Sequence, residues 1–138
     1  MKRIEQTYTI AAAKDAVWKA LTDPMVIEQW GAGPAEMSEE QGSKFSLWGG
    51  DIFGTNTKVI SGELLEQDWY SDKTWTEPSK LIISLHSDGL DGESTIVDLA
   101  QDNIPDNAAG DIEEGWSEYY FEPMREILED NDDDDEAE

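Results

Sequence analysis

The sequence lacks cysteine altogether and contains a single histidine. Disulfides and thiolate metal sites are therefore excluded, and one imidazole falls short of the ligand set that a zinc site requires. The carboxylate run at the end of the chain lacks the glycine and the ligand spacing of a calcium-binding loop. We therefore expect no metal and no other cofactor.

Long apolar runs are also missing from the chain. No segment approaches the roughly 20 apolar residues that a membrane-spanning helix needs. No apolar stretch follows the start at Met1, Lys2 and Arg3, so we expect no signal peptide. A chain without cysteine suits a reducing compartment, and these observations together predict a cytoplasmic protein that does not contact membranes.

Basic residues are scarce, because 9 Lys and Arg stand against 33 Asp and Glu and give a formal net charge of −24. Nine of the acids lie between Glu126 and Glu138, a stretch that contains no base. The negative electrostatic potential of such a surface repels nucleic acid and anionic membranes, so neither is expected as a partner. Two interpretations stay open, namely simple solvation of the surface and an acidic docking surface for a basic partner.

The spacing of apolar residues predicts the secondary structure. A period of two with β-branched residues indicates strands, and helical spacing indicates helices. The predicted strands are Ile4 to Ile10, Lys44 to Trp48, Ile52 to Ile60, Glu63 to Trp69, Ser79 to His86 and Ser94 to Gln101. The predicted helices are Ala11 to Leu21, Met25 to Gln29 and Asn107 to Glu129. Trp75 is a candidate start for a further strand, and Asp88 to Gly92 is a predicted turn.

The order of these elements indicates the fold class. One strand, two short helices, a run of five or six strands and one long helix favour an α+β fold with its helices on one face of an antiparallel sheet. We expect a single domain over residues 1–130. Residues 131–138 form a like-charge block with nothing to bury, which predicts a disordered acidic tail.

The long helix carries a glycine and three adjacent rings. Its predicted inward stripe contains Ile112, Gly115 with Trp116, Tyr119, Met124, and Ile127 or Leu128. Glycine in a helix interior costs up to about 1 kcal/mol relative to alanine, so we expect Gly115 to permit a close approach between the helix and the sheet. Tyr119 and Tyr120 are adjacent and cannot share one helical face, so one of them is expected to point inward.

Several of these segments together resemble a known family. The matching segments are Ala16 to Pro24, Trp30 with Gly31, the turn at Gly62, Asn103 to Pro105, and Glu114 to Phe121. In order and spacing they resemble the bacterial and archaeal homologues of the C-terminal domain of the heat-shock-protein-90 ATPase activator. That family belongs to the START-like (SRPBCC) superfamily. The resemblance covers nearly the whole chain except the acidic tail.

The resemblance implies a fold and a range of functions. The fold is the helix-grip fold of the birch-pollen allergen, in which an antiparallel sheet wraps around a long C-terminal helix. Members include a eukaryotic co-chaperone domain and small-molecule-binding proteins, and the activator itself has an N-terminal domain that this chain is too short to contain. The common family form has a second Trp after Trp30, where this chain has Gly31 directly.

The sequence offers few candidates for catalysis. His86 needs a positioned partner to act as a base, and no nucleophile elbow accompanies it. Asp98 alternates with Val97 and Leu99, and the pattern leaves open whether its carboxylate points inward, where desolvation would raise its pKa. The glycine pairs at Gly31 and Gly89 lack the strand–loop–helix context of a phosphate loop. We expect no catalytic residues and a protein that is not an enzyme.

Aromatic side chains are the stronger candidates for a site. The cavity candidates between sheet and helix are Trp30, Trp48, Trp69, Trp75, Trp116, Tyr119 and Tyr120. These rings either fill the core or line an apolar pocket whose few polar groups orient a ligand. Binding of a small apolar molecule is the leading hypothesis, and a chaperone-associated interaction module is the alternative. A cyclase or hydrolase of the kind known elsewhere in the superfamily ranks third.

Overall fold

A computed structural model of the chain describes residues 1–88 and 93–137, with side chains described up to residue 129. The strands are β1 (Lys2–Ile10), β2 (Lys44–Leu47), β3 (Ile52–Ile60), β4 (Leu64–Tyr70), β5 (Ser79–Asp88) and β6 (Ser94–Ile104). The helices are α1 (Lys14–Thr22), α2 (Pro24–Gln29), α3 (Asp106–Gly115) and α4 (Glu122–Ala137), with a π-helical turn (Trp116–Phe121) between the last two. A short 3₁₀ turn, Trp48–Gly50, connects β2 to β3.

The six strands form one antiparallel sheet in the order β1-β6-β5-β4-β3-β2. The helices pack on one of its faces, which confirms the predicted α+β helix-grip fold. β3 has its predicted bounds, and the other strands differ from prediction by one to three residues at one or both ends. The predicted strand start at Trp75 is wrong, because this residue lies in the connection between β4 and β5.

One prediction lies outside the described residues, and another falls where only the backbone is described. The turn predicted at Asp88 to Gly92 falls largely on residues 89–92, for which no structure is described. The acidic tail expected over residues 131–138 falls where side chains are not described, so the division into a domain and a tail stays a prediction.

The boundary between α1 and α2 is set by Asp23 and Pro24. The side chain of Asp23 accepts a hydrogen bond from the Met25 backbone N–H at 2.9 Å and caps α2. Pro24 occupies the first helical position, where its missing N–H costs nothing. α1 begins at Lys14, later than the predicted Ala11, and the Ala13 carbonyl accepts the first helical hydrogen bonds.

The core lies between the sheet and the helices. Burial alternates along β4, β5 and β6, so each strand points one set of side chains into the core and the other to solvent. Leu65, Leu81 and Val97 are among the fully buried apolar residues of this inner face. The hydrophobic side chains that continue the core come from α1, α2 and the long helix.

The long helix crosses the inner face near β1. Phe121 stacks on Tyr8 of β1 with ring centroids 4.2 Å apart. The side chain of Arg125 donates to the Thr9 carbonyl at 2.9 Å. These contacts hold the middle of the helix on the sheet. Its first half also touches β1, where Gln6 donates to the Glu113 carbonyl at 3.0 Å, and its Ile112 shares a pocket with residues at the ends of β3 and β4.

The π-helical turn changes which side chains face inward. Hydrogen bonding from i to i+5 brings residues four and five positions apart onto one face. Trp116, Tyr120 and Phe121 are all buried, whereas Tyr119 is 59% exposed. The predicted inward placement of Tyr119 is therefore wrong, and Tyr120 is the tyrosine that points into the core.

Candidate functional site

Tyr120 is the centre of an aromatic cluster between the helix and the sheet. Its ring centroid lies 4.3 Å from that of Trp116 and 5.3 Å from those of both Trp30 and Trp48. Trp69 extends the cluster, with its centroid 5.7 Å from Trp116. These separations are typical of favourable aromatic pairs. The cluster therefore joins four parts of the chain that are separate in sequence.

A pocket of about 380 Å³ opens beside this cluster. Its wall on the sheet side is formed by Trp48, Asp51, Ile52, Trp69 and Ser71. Its wall on the helix side is formed by Asp111, Ile112, Gly115, Trp116, Tyr119 and Tyr120. The volume is within the range of small-molecule sites, and most of the lining side chains are apolar or aromatic.

Five of the seven predicted site residues line this pocket, and two lie beside it. Trp30 is buried behind the wall, where its indole N–H donates to the Ala20 carbonyl at 2.8 Å. Trp75 is half-buried against the far side of Trp69, with ring centroids 6.3 Å apart. Trp30 and Trp75 thus support the lining rings Trp48, Trp69 and Tyr120 from behind.

Trp48 reaches the pocket through an unusual backbone conformation. Its φ is 50°, in the left-handed region that bulky residues rarely adopt, and Gly49 and Gly50 follow with φ of 66° and 105°. The Trp48 backbone N–H donates to the Ala32 carbonyl at 2.9 Å, and that of Gly49 donates to the Pro34 carbonyl at 3.0 Å. Such a conformation costs about 1–3 kcal/mol and persists only where surrounding contacts hold it.

Two buried polar groups near the pocket have no protein partner among the described residues. The indole N–H of Trp116 donates to Gln101 Oε1 at 2.8 Å, but Gln101 Nε2 is left without an acceptor. The hydroxyl of Tyr120, a lining residue that is 7% exposed, also has no partner at regular hydrogen-bond geometry. Burial raises the pKa of Tyr120, and a weaker interaction with the nearby Trp69 side chain opposes that rise only in part. The hydroxyl therefore stays protonated.

We expect Tyr120→Phe to stabilise the free protein by about 1 kcal/mol, because it removes a buried hydroxyl that lacks a partner. Chemical unfolding followed by tryptophan fluorescence measures the change. Tyr119→Phe is the matched control, since its hydroxyl belongs to an exposed residue and its removal should change the free energy of unfolding by less than about 0.5 kcal/mol. A loss of stability in Tyr120→Phe would show that the hydroxyl is paired in the folded protein.

The structure assigns Gly115 a role different from the predicted one. A Cβ built on Gly115 would have its nearest neighbour in Tyr119 Cδ2, at an ordinary contact distance of 3.7 Å. Close approach to the sheet therefore does not explain this glycine, and that expectation is wrong. Gly115 lines the pocket, so a larger side chain there would occupy space that is now open.

Sequence reasoning missed four lining residues, namely Asp51, Ile52, Ser71 and Asp111. Asp51 and Ser71 lie where β3 begins and β4 has just ended, and a pattern of alternating residues says little about strand ends. Asp51 and Asp111 are two acids among 33, with no local pattern that distinguishes them. The predicted helix stripe did include Ile112 and Gly115, the two lining residues beyond the aromatic ones that the sequence indicated.

His86 and Asp98 lie on the outer face of the sheet, away from the pocket. His86 Nε2 is 3.2 Å from Asp98 Oδ2, and Thr7 donates to the same carboxylate at 2.9 Å. Both side chains are about half exposed or more. Asp98 therefore points outward, and the alternative that it enters the cavity is wrong.

Within the described residues, no group of three or more His, Asp or Glu side chains is arranged to hold a metal ion. Among the helices described, none combines the length and the apolar character required to cross a bilayer.

Comparison with known proteins identifies relatives over most of the chain. The family "Activator of Hsp90 ATPase homolog 1-like protein" matches residues 11–129. An activator of 90 kDa heat shock protein ATPase homolog from Dictyostelium discoideum is 37% identical over 88 residues, which cover 62% of this chain and 22% of that protein. The human homolog 1 is 22% identical over 120 residues, covering 87% of this chain and 35% of that protein. The chain thus spans about a fifth to a third of these relatives.

Solved structures share the fold. An HSP90 activator from Plasmodium falciparum has a TM-score of 0.84 at 22% identity, covering 93% of this chain and 96% of that one. The Aha1 dimer from Colwellia psychrerythraea has a TM-score of 0.78 at 16% identity, again covering 93% and 96%. Since the family match extends over residues 11–129, the chain belongs to the family of activator of Hsp90 ATPase homolog 1-like proteins.

Proposed function

We propose that the protein binds a small, mostly apolar molecule in the pocket between the long helix and the ends of β3 and β4. The observation that carries this proposal is a pocket of about 380 Å³ whose wall is formed largely by the rings of Trp48, Trp69 and Trp116. Pockets of this size with apolar and aromatic walls are typical of small-molecule sites. Burial against the rings would supply affinity, and the polar lining residues Asp51, Ser71 and Asp111 would orient the ligand.

Gly115 provides the variant that tests this proposal. Gly115→Leu places a side chain in the pocket, whereas Gly110→Leu adds the same group on α3 where a Cβ meets no neighbour within 4 Å. Both changes replace glycine in a helix and should improve helix propensity by up to about 1 kcal/mol. Loss of binding in the first variant alone therefore reports on the pocket, not on folding.

We expect tryptophan fluorescence of the wild type to change saturably with apolar probes such as naphthalene and decan-1-ol. Gly115→Leu should weaken this response at least tenfold, which corresponds to about 1.4 kcal/mol, while Gly110→Leu should leave it unchanged. Absence of a saturable response in the wild type, or equal binding by both variants, would contradict the proposal.

A second candidate function is association with a chaperone. Membership of the activator family and the net charge of −24 both favour it, because an acidic surface attracts a basic region of a partner. Purified heat-shock protein 90 is expected to bind in a salt-sensitive manner and to show a changed ATPase rate. Gly115→Leu should not alter this binding, which separates the second candidate from the first. Absence of binding at low salt would contradict it.

Both candidates are non-catalytic, and we place them in the cytoplasm. The position of His86 supports a function without catalysis, since it pairs with Asp98 on the outer face of the sheet and not in the pocket. The cyclase or hydrolase hypothesis finds no support in this arrangement. A small apolar ligand and a chaperone are thus the two partners that we propose.

A further inference from the structure

Asp51 and Asp111 give the wall of the pocket a negative charge. They face it from opposite walls, one at the start of β3 and the other on α3, and both are exposed. Among the described residues, neither carboxylate has a hydrogen-bond or ion-pair partner. The other described lining residues carry no charge, so the two acids meet no base in the wall.

Aromatic rings surround the same space. Trp48, Trp69, Trp116 and Tyr120 all contribute to the lining. The faces of such rings attract cations, most strongly in the case of tryptophan. A carboxylate beside an aromatic wall is the combination that recognises an ammonium group attached to an apolar body.

Resting on the ligand-binding function proposed above, we infer that the pocket selects organic cations, namely molecules with an apolar body and a protonated amine. The apolar body lies against the rings, and the ammonium group lies between Asp51 and Asp111. An anionic head group would meet the two carboxylates without any compensating base. A neutral molecule of the same shape keeps the apolar contacts but gains nothing from the acids.

The test compares three probes that share one chain, namely decylammonium, decan-1-ol and decanoate at pH 7. Binding is measured by tryptophan fluorescence and calorimetry at 0.15 M and 0.5 M NaCl. We expect the wild type to bind decylammonium about tenfold more tightly than decan-1-ol, consistent with one cation–π contact and one charged hydrogen bond. Decanoate should bind more weakly than both.

Charge variants distinguish the pocket from the general acidity of the chain. The double variant Asp51→Asn with Asp111→Asn should lose the preference for decylammonium and retain the affinity for decan-1-ol. Asp15→Asn with Asp88→Asn is the matched control, because it removes two exposed carboxylates that lie outside this pocket. The control should keep the preference, at both salt concentrations.

Each remaining outcome overturns the inference in a recognisable way. Equal affinity for decylammonium and decan-1-ol would remove the selectivity for cations and leave the ligand-binding function standing. Suppose instead that both double variants prefer decylammonium equally and that this preference vanishes at 0.5 M NaCl. That result would show that the preference comes from the negative charge of the whole protein surface and not from the pocket. If none of the three probes binds, the inference and the proposed function both fail.

Discussion

Gly54→Ala is expected to reduce the free energy of unfolding by about 3 kcal/mol or more. A Cβ on this residue would lie 1.8 Å from the Asp68 carbonyl oxygen of β4 and 3.0 Å from Cε1 of Phe45. Real contacts of a Cβ are never as short as the first of these, so the paired strands would have to move apart. Overpacking alone typically costs 1–3 kcal/mol, and lost hydrogen bonds of the sheet add to this cost.

The position of Gly54 connects this effect to the site. In the sheet it pairs with Phe45 on one side and with Trp69 on the other, and Trp69 lines the pocket. Displacing β3 from β4 would therefore also move a wall of the pocket. We expect ligand affinity to fall in any fraction of the variant that still folds.

Urea unfolding monitored by circular dichroism and fluorescence provides the measurement. Gly110→Ala is the matched control, because its new Cβ meets no neighbour within 4 Å and alanine is favoured over glycine in a helix by up to about 1 kcal/mol. The two identical substitutions should thus change stability in opposite directions. A Gly54→Ala variant as stable as the wild type would contradict the described pairing of β3 with β4.

Trp116→Ala should lower the free energy of unfolding by about 4–5 kcal/mol, the largest decrease expected for a single change in the aromatic cluster. Trp116 is 1% exposed and packs against Trp69, Tyr120 and Phe121. Truncating a buried Trp or Phe to alanine costs 3–5 kcal/mol through lost burial and the cavity left behind. The change also leaves Gln101 Oε1 without its donor, which adds the cost of an unpaired buried group.

Two further variants separate these contributions. Trp116→Phe keeps an apolar ring but removes the N–H that bonds Gln101, so it should cost about 1–3 kcal/mol. Tyr119→Ala removes a neighbouring ring that is 59% exposed and should cost less than about 1 kcal/mol. If Tyr119→Ala proved as damaging as Trp116→Ala, the described phase of the helix would be wrong.

The fold could be predicted from the sequence because the patterns that indicate strands and helices are local and repeated. The alternation in β4 and in β5 is set by the pleat, which turns each successive side chain to the opposite face. The boundary at Asp23 and Pro24 combines a capping side chain with a residue that favours the first helical turn. Each of these features depends on residues that are adjacent in the chain, so no tertiary information was needed.

The lining of the pocket could be predicted only in part, since it depends on contacts between residues that are distant in sequence. Trp48, Trp69 and Trp116 were identified from residue type, because large rings in a small domain tend to meet. Both Tyr119 and Tyr120 were predicted as cavity candidates, but which of them is buried could not be predicted, since helical spacing assumes i to i+4 bonding and the π turn departs from it. Asp51 and Asp111 come together only through the fold, and neither differs from the other acids in sequence.

The position of β1 at the edge of the sheet has a consequence for how the protein is made. Of the six described strands β1 leaves the ribosome first, but its partner in the sheet is β6, with Ile4 opposite Gln101 and Ile10 opposite Thr95. Such pairings raise the contact order and slow folding, because a long loop must close before they form. The meander from β3 to β5 can assemble earlier, and β1 must wait for the C-terminal third of the chain to be synthesised.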